Sequence, residues 1–475
     1  MSLSVFDAMQ QALKYGEQYG ADLLEIRGDD VAHVTISSEK LNIKDTRVFR
    51  RIGIGVRAYV NGATGYSFTT LLSKPSVKDV VSKAVKSAKV AGQYASLRLK
   101  PAEYKPAKAK YSIDVKQNPS EIDFEEKKEM LLRGEQAARD AGVDVATTRA
   151  NYGEACGRKF FTNSEGTEIS REVLLVSIGF TVVSRRGSIL ADAHDSHGGS
   201  FGLEAFRDEY SPETLGRNAA EWAAEKLEGK KAPAGKFSSL IDNVLAGVMA
   251  HESFGHLSEF DFVFTGASPL RGRLNQQLGS EHATIIDEGI VDLPKYPGFI
   301  LPYDDEGVKT KRVVLLDQGV LKGYLHLRGT AGAVGAEPTG NGRAVDYRFE
   351  PICRMRNTYF DKGELKVEEA LELLDNGIYA CGTSGGQVSL DGTFMFKAVR
   401  GYWIENGEKK HPFRDLAIRG HILDFLKAVQ GRCNDLKIHS SYFGGCGKGG
   451  QYPLPVGLGG PHLLLKEATF GGEQG

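Results

Sequence analysis

The sequence predicts an α+β fold in which two similar helix–strands–helix units precede a β-rich C-terminal domain. The first observation is length, because 475 residues exceed what one hydrophobic core organises. The second is an order of helical and alternating apolar patterns that occurs twice, in halves of about 1–96 and 119–232. The third is a change of composition near residue 233, after which glycine, β-branched residues and hairpin signals dominate. We therefore expect two domains, 1–232 and 233–475.

The first unit opens with an amphipathic pattern that predicts a helix near 4–20. Alternating segments follow, among them 53–60, which runs into the hairpin signal Asn61-Gly62. A helical pattern near 76–92, with Ser76 as its predicted N-cap, closes the unit.

The second unit repeats this order. A helix is predicted near 120–141, where Ser120 followed by Asp123 resembles a capping pattern. The alternating segment 173–183 predicts a strand, and a helix near 211–228 closes the unit. Because residue identities barely match between the halves, two unrelated α+β units with a similar element order are the alternative to an internal duplication.

The C-terminal domain begins with an apolar helical segment from Leu240 to about Phe254. Strand-like segments such as 312–316 then dominate, with helices predicted near 367–375 and 413–430. Glycine density peaks between 444 and 460, where the backbone must take unusual conformations or approach a neighbour closely.

Composition excludes several classes of protein. Lys plus Arg total 60 against 61 for Asp plus Glu, which gives no overall attraction to nucleic acid or anionic lipid. No apolar run approaches the roughly 18 residues of a membrane span, and the N-terminal segment has no apolar core of a secretory signal. The five cysteines are irregularly spaced, which indicates free thiols rather than a disulfide scaffold. We therefore expect a cytoplasmic protein.

The run His251-Glu252-Ser253-Phe254-Gly255-His256 carries the most specific chemistry in the sequence. A spacing of five residues places two side chains about 140° apart on a regular α-helix, too far apart to share one metal ion. Either a wider π-type turn intervenes, or the helix ends and His256 returns from a loop. Gly255 eases both distortions. The sequence therefore predicts an irregular helix end at 252–256.

These residue types suit a catalytic zinc site. Neutral imidazole binds Zn²⁺ well, and a carboxylate beside the ligands, here Glu252, can act as general base. Such sites have three protein ligands, and Cys446 is the candidate for the third because a glycine-dense turn presents it and Lys448 lies nearby. The alternatives are a buried, hydrogen-bonded structural role for His251 and a merely buried thiol for Cys446.

Two further sites have competing interpretations. Glu259, three residues after His256, is either a solvated carboxylate or a hydrogen-bond partner of that histidine. The pair His194 and His197 is a possible second metal site, but the following Gly198-Gly199 favours an exposed loop.

Several motifs together resemble one known family, the TldD/PmbA metallopeptidases. The similar blocks keep their order along the C-terminal half and are 251–259, 304–307, 319–325, 340–343 with 354–358, 385–388 and 446–451 with 455–457. In the N-terminal half the similarity rests mainly on 53–57 and 62–66.

The resemblance implies an α+β fold with a β-rich C-terminal catalytic domain. It implies one zinc ion per chain, held by His251, His256 and Cys446, with Glu252 activating the water. Because the chain has all these residues, it resembles the catalytic branch of the family.

The resemblance also implies partners and a substrate. Family members pair as dimers that enclose the active site, so we expect a homodimer or a heterodimer with a family partner. The implied activity is hydrolysis of short or unfolded peptides, with no nucleic-acid or membrane partner. The alternative is a non-catalytic, peptide-binding partner subunit of a heteromeric protease, in which zinc is structural.

Overall fold

The computed structural model describes residues 3–94, 100–141, 144–293 and 295–471. In the N-terminal region the helices are α1 Val5–Tyr19, α2 Lys74–Tyr94, α3 Phe124–Ala141 and α4 Pro212–Glu228. The strands there are β1 Leu23–Glu39, β2 Asn42–Val60, β3 Ala63–Thr69, β4 Lys108–Tyr111, β5 Val145–Asn163, β6 Glu168–Arg186 and β7 Ile189–Gly199. Short 3₁₀ turns occupy Pro119–Glu121 and Leu203–Arg207.

These strands form one sheet in the order β3-β2-β1-β5-β6-β4, with β7 also pairing with β6. The first long strands of the two predicted units, β1 and β5, lie side by side and antiparallel from Glu25↔Asn163 to Glu39↔Arg149. Helices α1 and α2 pack together beside the first unit, and α3 and α4 beside the second. The two apolar cores under these helix pairs explain why the helical pattern appears twice in the sequence.

Two helix starts differ from the prediction. Helix α2 begins at Lys74 rather than near 76, and the hydroxyl of Ser73 accepts the N–H of Ser76, so Ser76 is not the cap. Helix α3 begins at Phe124, because Asp123 accepts the N–H of Glu125 while Ser120 lies in the preceding 3₁₀ turn. Several polar residues precede each helix, and the sequence does not show which one is the cap.

The C-terminal region is rich in short strands, as predicted. Its helices are α5 Asn243–Val248, α6 Phe260–Thr265, α7 Arg328–Val334, α8 Val367–Leu374 and α9 Ile422–Ala428, with a π-helical turn at Met249–Gly255 and a 3₁₀ turn at His256–Ser258. Its first strands are β8 Lys230–Lys231, β9 Gly235–Ile241, β10 Ile285–Glu288, β11 Val313–Asp317, β12 Val320–Leu321, β13 Gly342–Arg343, β14 Ile352–Cys353, β15 Asn357–Phe360, β16 Gly377–Cys381 and β17 Gly386–Val388. The remaining strands are β18 Thr393–Lys397, β19 Arg400–Glu405, β20 Glu408–Arg414, β21 Ala417–His421, β22 Val429–Arg432, β23 Lys437–Ser440, β24 Cys446–Lys448, β25 Gln451–Leu454, β26 Gly457–Gly460 and β27 Leu463–Gly471. Together with the N-terminal sheet, they confirm the α+β fold class.

Two sheets organise this region among the described residues. One has the order β17-β18-β21-β27-β9-β16-β19-β20-β8, with β22 on β27, and the other has the order β12-β11-β10-β15-β26-β23. Helix α5 contacts strands of both sheets, the π-helical turn contacts β15 and β26, and the largest apolar cluster of the described residues surrounds them. This packing fixes the position of the segment that carries His251 and His256.

Two predicted helices in this region are wrong in extent. Leu240 and Ile241 end strand β9, and the helix begins only at Asn243, after the N-cap Asp242. Of the predicted helix 413–430, only Ile422–Ala428 is helical, because the preceding residues pair as β20 and β21. Short apolar runs fit a buried strand and a buried helix equally well, so periodicity alone did not separate them.

Buried ion pairs join the N-terminal sheet to the C-terminal region. Arg57 of β2 pairs with Glu25 of β1 and with Glu306, and Arg328 at the start of α7 reaches Glu25 at 2.7 Å. Each of these four side chains is at most 5% exposed. The two regions therefore share a charged interior.

No helix among the described residues combines the length and apolar character that a membrane crossing requires.

Candidate metal centre

His251 lies on the π-helical turn Met249–Gly255, which continues α5 without a break, and His256 follows directly as the first residue of the 3₁₀ turn. The N–H of His256 donates to the carbonyl of His251, five residues earlier, as in a π-helix. This wider turn brings the second imidazole back beside the first, with ring centroids 5.3 Å apart. The predicted irregularity at 252–256 is confirmed, and the π-type alternative is the one the chain adopts.

Gly255 is required for a different reason from the one predicted. Its φ and ψ of −60° and −47° are ordinary helical values, so no special backbone freedom is used. A Cβ at this position would lie 2.0 Å from the Sδ of Met355. The glycine therefore serves close packing of the turn against the 354–358 segment.

Cys446 lies beside His256, although the two residues are 190 positions apart in the sequence. It begins β24, which forms a tight hairpin with β25 across Gly449 and Gly450, both in the left-handed region at φ 58° and 75°. Its carbonyl accepts a hydrogen bond from buried Arg354 at 2.6 Å. The glycines predicted to shape this turn are thus what allows the hairpin to present the thiol.

The candidate ligand atoms of His251, His256 and Cys446 all lie within 4.8 Å of one another; His251 and Cys446 are buried, and the His256 side chain is 12% exposed. The Sγ of Cys446 is 3.2 Å from Nε2 of His256. Burial alone would raise the pKa of the Cys446 thiol, but the two neighbouring imidazoles lower it to about 5. The sulfur is therefore ionised at neutral pH, the form in which it binds metals.

Lys448 does not act on the thiolate as the sequence suggested. Its amine donates to Glu259 at 3.0 Å, to Asp261 at 2.7 Å and to the carbonyl of Cys353 at 3.0 Å. Lys448 therefore anchors the hairpin to the segment after His256, and the histidines account for the lowered pKa of Cys446.

Glu259 is buried and supports His256. One carboxylate oxygen lies 2.9 Å from Nδ1 of His256 and also accepts from Lys448. Burial acts to raise the pKa of Glu259, but His256 and Lys448 hold it below its usual value, so the carboxylate stays charged. The solvated alternative is wrong. This contact leaves Nε2 of His256 facing Cys446 and orients the ring.

Glu252 points into a cavity of about 510 Å³ that His251 also lines. Its side chain is 35% exposed, and its carboxylate lies 3.8 Å from Nε2 of His256. The carboxylate is therefore accessible to solvent and close to the candidate ligands without being one of the three.

His194 and His197 lie on strand β7, so the predicted exposed loop is wrong. His197 is buried and stacks on Tyr210 at a centroid distance of 3.5 Å. His194 instead lines the 510 Å³ cavity, where His439 of β23 joins it. Among the described residues, the only cluster of three or more ligand-type side chains is that of His251, His256 and Cys446.

Asp242, which is not among the candidate residues predicted from the sequence, connects two segments that line the cavity. One oxygen caps α5 through the N–H of Leu245 at 2.9 Å, and the other accepts the N–H of Gly382 at 2.8 Å. Gly382 leads into the segment 383–386, which lines the cavity opposite the helix. An aspartate directly before an apolar helical run is an N-cap signal that could have located the start of α5.

The three candidate ligands fit a zinc ion. Both ring nitrogens of His251 are buried and have no hydrogen-bond partner among the described residues, which is costly for a polar group unless something else binds it. A thiolate and two imidazoles are ligands that Zn²⁺ prefers, and a set of three leaves one position open.

Family models of known proteins match three stretches of the chain. They are PmbA/TldA metallopeptidase domain 1 over residues 24–88, the central domain over 117–227 and the C-terminal domain over 234–472.

Curated relatives agree with this assignment. The chain is 36% identical over 411 residues to a metalloprotease of Methanocaldococcus jannaschii, covering 86% of this chain and 88% of the relative. It is 27% identical over 471 residues to the zinc metalloprotease TldD homolog of Saccharolobus solfataricus, covering 98% and 100%.

Two solved structures share the fold. TldE from Thermococcus kodakarensis superposes with a TM-score of 0.78 at 19% identity, covering 98% of this chain and 100% of that one. A protein from Thermotoga maritima gives 0.79 at 23% identity, covering 98% and 99%. Since the family models span most of the residues and the resemblance of the motifs is confirmed, the chain belongs to the TldD/PmbA family of metallopeptidases.

Proposed function

We propose that the protein is a zinc-dependent peptidase that hydrolyses peptide bonds in short or unfolded peptides, with one zinc ion per chain. The observation that supports it most directly is that the candidate ligand atoms of His251, His256 and Cys446 lie within 4.8 Å of one another. Beside them, Glu252 lines a cavity. A relative named as a zinc metalloprotease supports the identity of the metal.

In this proposal each side chain has one role. His251, His256 and Cys446 would hold the zinc ion, which when bound would act as a Lewis acid and lower the pKa of water to about 7. Glu252 accepts the proton of the attacking water and returns it to the leaving amine. Glu259 holds Nδ1 of His256 and so fixes the tautomer that presents Nε2.

The cavity wall favours an extended peptide as the substrate. Strand β17 is at the edge of its sheet and pairs with β18 on one side only among the described residues. Gly386 and Val388 of this strand line the cavity that holds Glu252. A peptide in extended conformation can add to such an edge through backbone hydrogen bonds, which select for unfolded chain rather than for sequence.

We propose further that the chain pairs with a second copy of itself or with another family member. The likeness to TldE in fold shows that a related chain of similar shape exists. We also propose a cytoplasmic location, which the five free, buried cysteines favour.

The test is the zinc content of wild type and Cys446→Ala by elemental analysis, each with cleavage of an unstructured peptide. We expect about one zinc ion per wild-type chain, and loss of both metal and activity in the variant. Zinc that is unaffected by Cys446→Ala would contradict the ligand set. A wild-type protein that holds zinc but cleaves no unstructured peptide would instead favour the non-catalytic partner subunit.

A further inference from the structure

A second cavity, of about 300 Å³, lies between the N-terminal sheet and the segments 343–346 and 453–455 of the C-terminal region. Tyr442 and Pro455 line it, whereas their chain neighbours Ser441 and Val456 line the cavity that holds Glu252. The two cavities are therefore on opposite sides of the same segments. The proposed reaction uses none of the side chains in this second cavity.

The acidic groups of this cavity already have cationic partners. Asp305 pairs with Arg171, Asp346 with Arg51 and Asp29 with Lys159, at nitrogen–oxygen distances of 2.9, 3.3 and 3.8 Å. Each of these carboxylates is thus already paired with another cation, and the remaining buried cation, Arg343, has no ion-pair partner among the described residues.

Arg343 is 2% exposed, and its guanidinium donates only to the backbone carbonyls of Met355 and Pro455 among the described residues. No carboxylate of those residues lies within ion-pair distance of it. Burial lowers the pKa of Arg343 to about 9, although the charges of Asp305 and Asp287 act to raise it, so the guanidinium stays charged at neutral pH. A buried cation that makes no direct ion pair is costly, and an anion in the cavity would reduce that cost.

The rest of the wall is apolar. Val31, Leu175 and Phe299 line it, and the guanidinium of Arg343 stacks over the Phe299 ring at 4.9 Å from its centroid. The volume is at the lower end for ligand pockets, which suits one or two amino-acid residues. A suitable ligand therefore has one anionic group and a small apolar body.

We propose that this cavity binds the C-terminal carboxylate of a short peptide with an apolar last residue, with Arg343 as the carboxylate partner. The planar fork of a guanidinium matches a carboxylate. The choice of a peptide rests on the proposed function, since peptides with free carboxylates are the substrates and products of that reaction.

Calorimetric titration of N-acetyl-leucine and N-acetyl-leucinamide tests the proposal, because the two probes differ only in charge at the carboxyl end. The proteins are wild type, Arg343→Met, Ala155→Leu and Cys446→Ala. Ala155 lines the cavity, so its replacement fills space and leaves Arg343 in place. Cys446→Ala separates this cavity from carboxylate binding at the metal centre, and circular dichroism establishes that each variant is folded.

We expect wild type to bind the acid at least tenfold more tightly than the amide. Cys446→Ala should show the same preference for the acid. The preference should disappear in Arg343→Met, and both probes should weaken at least tenfold in Ala155→Leu. Equal binding of acid and amide, no binding of either, or binding that persists in the folded cavity variants would overturn the proposal. So would loss of binding in Cys446→Ala. The proposed function is judged separately by peptide cleavage, which none of these titrations measures.

Discussion

At the scale of single residues, the two candidate histidine ligands are supported in different ways. His256 is held by the buried carboxylate of Glu259, which Lys448 also contacts. Neither ring nitrogen of His251 has a hydrogen-bond partner among the described residues, so no carboxylate orients this ring. Metal affinity should therefore depend on Glu259 as well as on the ligands.

Replacing Glu259 by Gln should weaken zinc binding roughly tenfold to a hundredfold, because the carboxylate that orients His256 and raises its basicity is lost. Competition with a chelator of known affinity measures this. The control is Glu281→Gln, since the Glu281 side chain is 82% exposed and remote from the cluster. Equal zinc affinities for the two variants would contradict the role of Glu259.

Replacing Glu252 by Gln should lower the rate of peptide cleavage by a factor of about 10² to 10⁴, because the amide cannot accept the proton of the attacking water. Zinc content and thermal stability should stay at wild-type values, since the Glu252 side chain is partly exposed and is not one of the three converging groups. Full activity in this variant would exclude Glu252 as the general base.

The sequence predicted the residues of the site better than their contacts. Spacing and residue type made His251, His256 and Cys446 candidates, and the family resemblance implied them as one ligand set, although Cys446 is 190 positions from His256. The contacts of Lys448 could not be predicted, because they depend on Asp261 and a backbone carbonyl that only the fold brings close.

At the scale of elements, the π-helical turn depends on close packing at Gly255. Gly255→Ala should lower the free energy of unfolding by about 1–3 kcal/mol, because the added methyl group clashes with Met355. Urea denaturation measures this. Gly420→Ala is the matched control, since the nearest atom to its Cβ is 3.4 Å away and its φ is not left-handed. Equal unfolding midpoints for the two variants would contradict the packing role.

Asp242 should affect both stability and activity. Asp242→Ala removes the cap of α5 and leaves the N–H of Gly382 without its partner, at a combined cost of roughly 2–4 kcal/mol. Because Gly382 leads into the cavity wall, we expect the KM for an unstructured peptide to rise.

The control for Asp242 is Ser4→Ala, which removes only the cap of α1. It should cost about 1 kcal/mol and leave KM unchanged. An unchanged KM in folded Asp242→Ala would show that the segment after Gly382 is held in place without this contact.

Prediction of elements was most successful where patterns were long. Helices α1 and α4 follow their predicted ranges closely because each has a long apolar stripe and a serine cap. It failed at Leu240 and near residue 413, where the apolar run was short and its burial in a sheet decided the outcome. The prediction of an exposed loop also failed at β7, because several residues of this strand are buried in the fold.

At the scale of the whole molecule, the N-terminal sheet and the C-terminal region are joined by charges rather than by apolar contact alone. Arg57→Met should lower the free energy of unfolding by about 3–5 kcal/mol, because Glu25 and Glu306 lose a buried partner. The control is Arg50→Met on the same strand, whose pair with Asp30 is exposed and should contribute less than about 1 kcal/mol. Similar losses in the two variants would contradict the importance of the buried network.

The position of β26 and β27 within the two C-terminal sheets has a consequence for how the protein is made. Strand β27 lies between β21 and β9, and β26 lies between β15 and β23, so each joins strands that were synthesised earlier. Cys446 precedes both strands, so the three candidate ligands are all synthesised before either sheet is complete. During translation, the growing chain therefore exposes unpaired strand edges in two unfinished sheets until β26 and β27 have left the ribosome. A chain interrupted before residue 457 would yield an aggregation-prone product rather than a smaller peptidase.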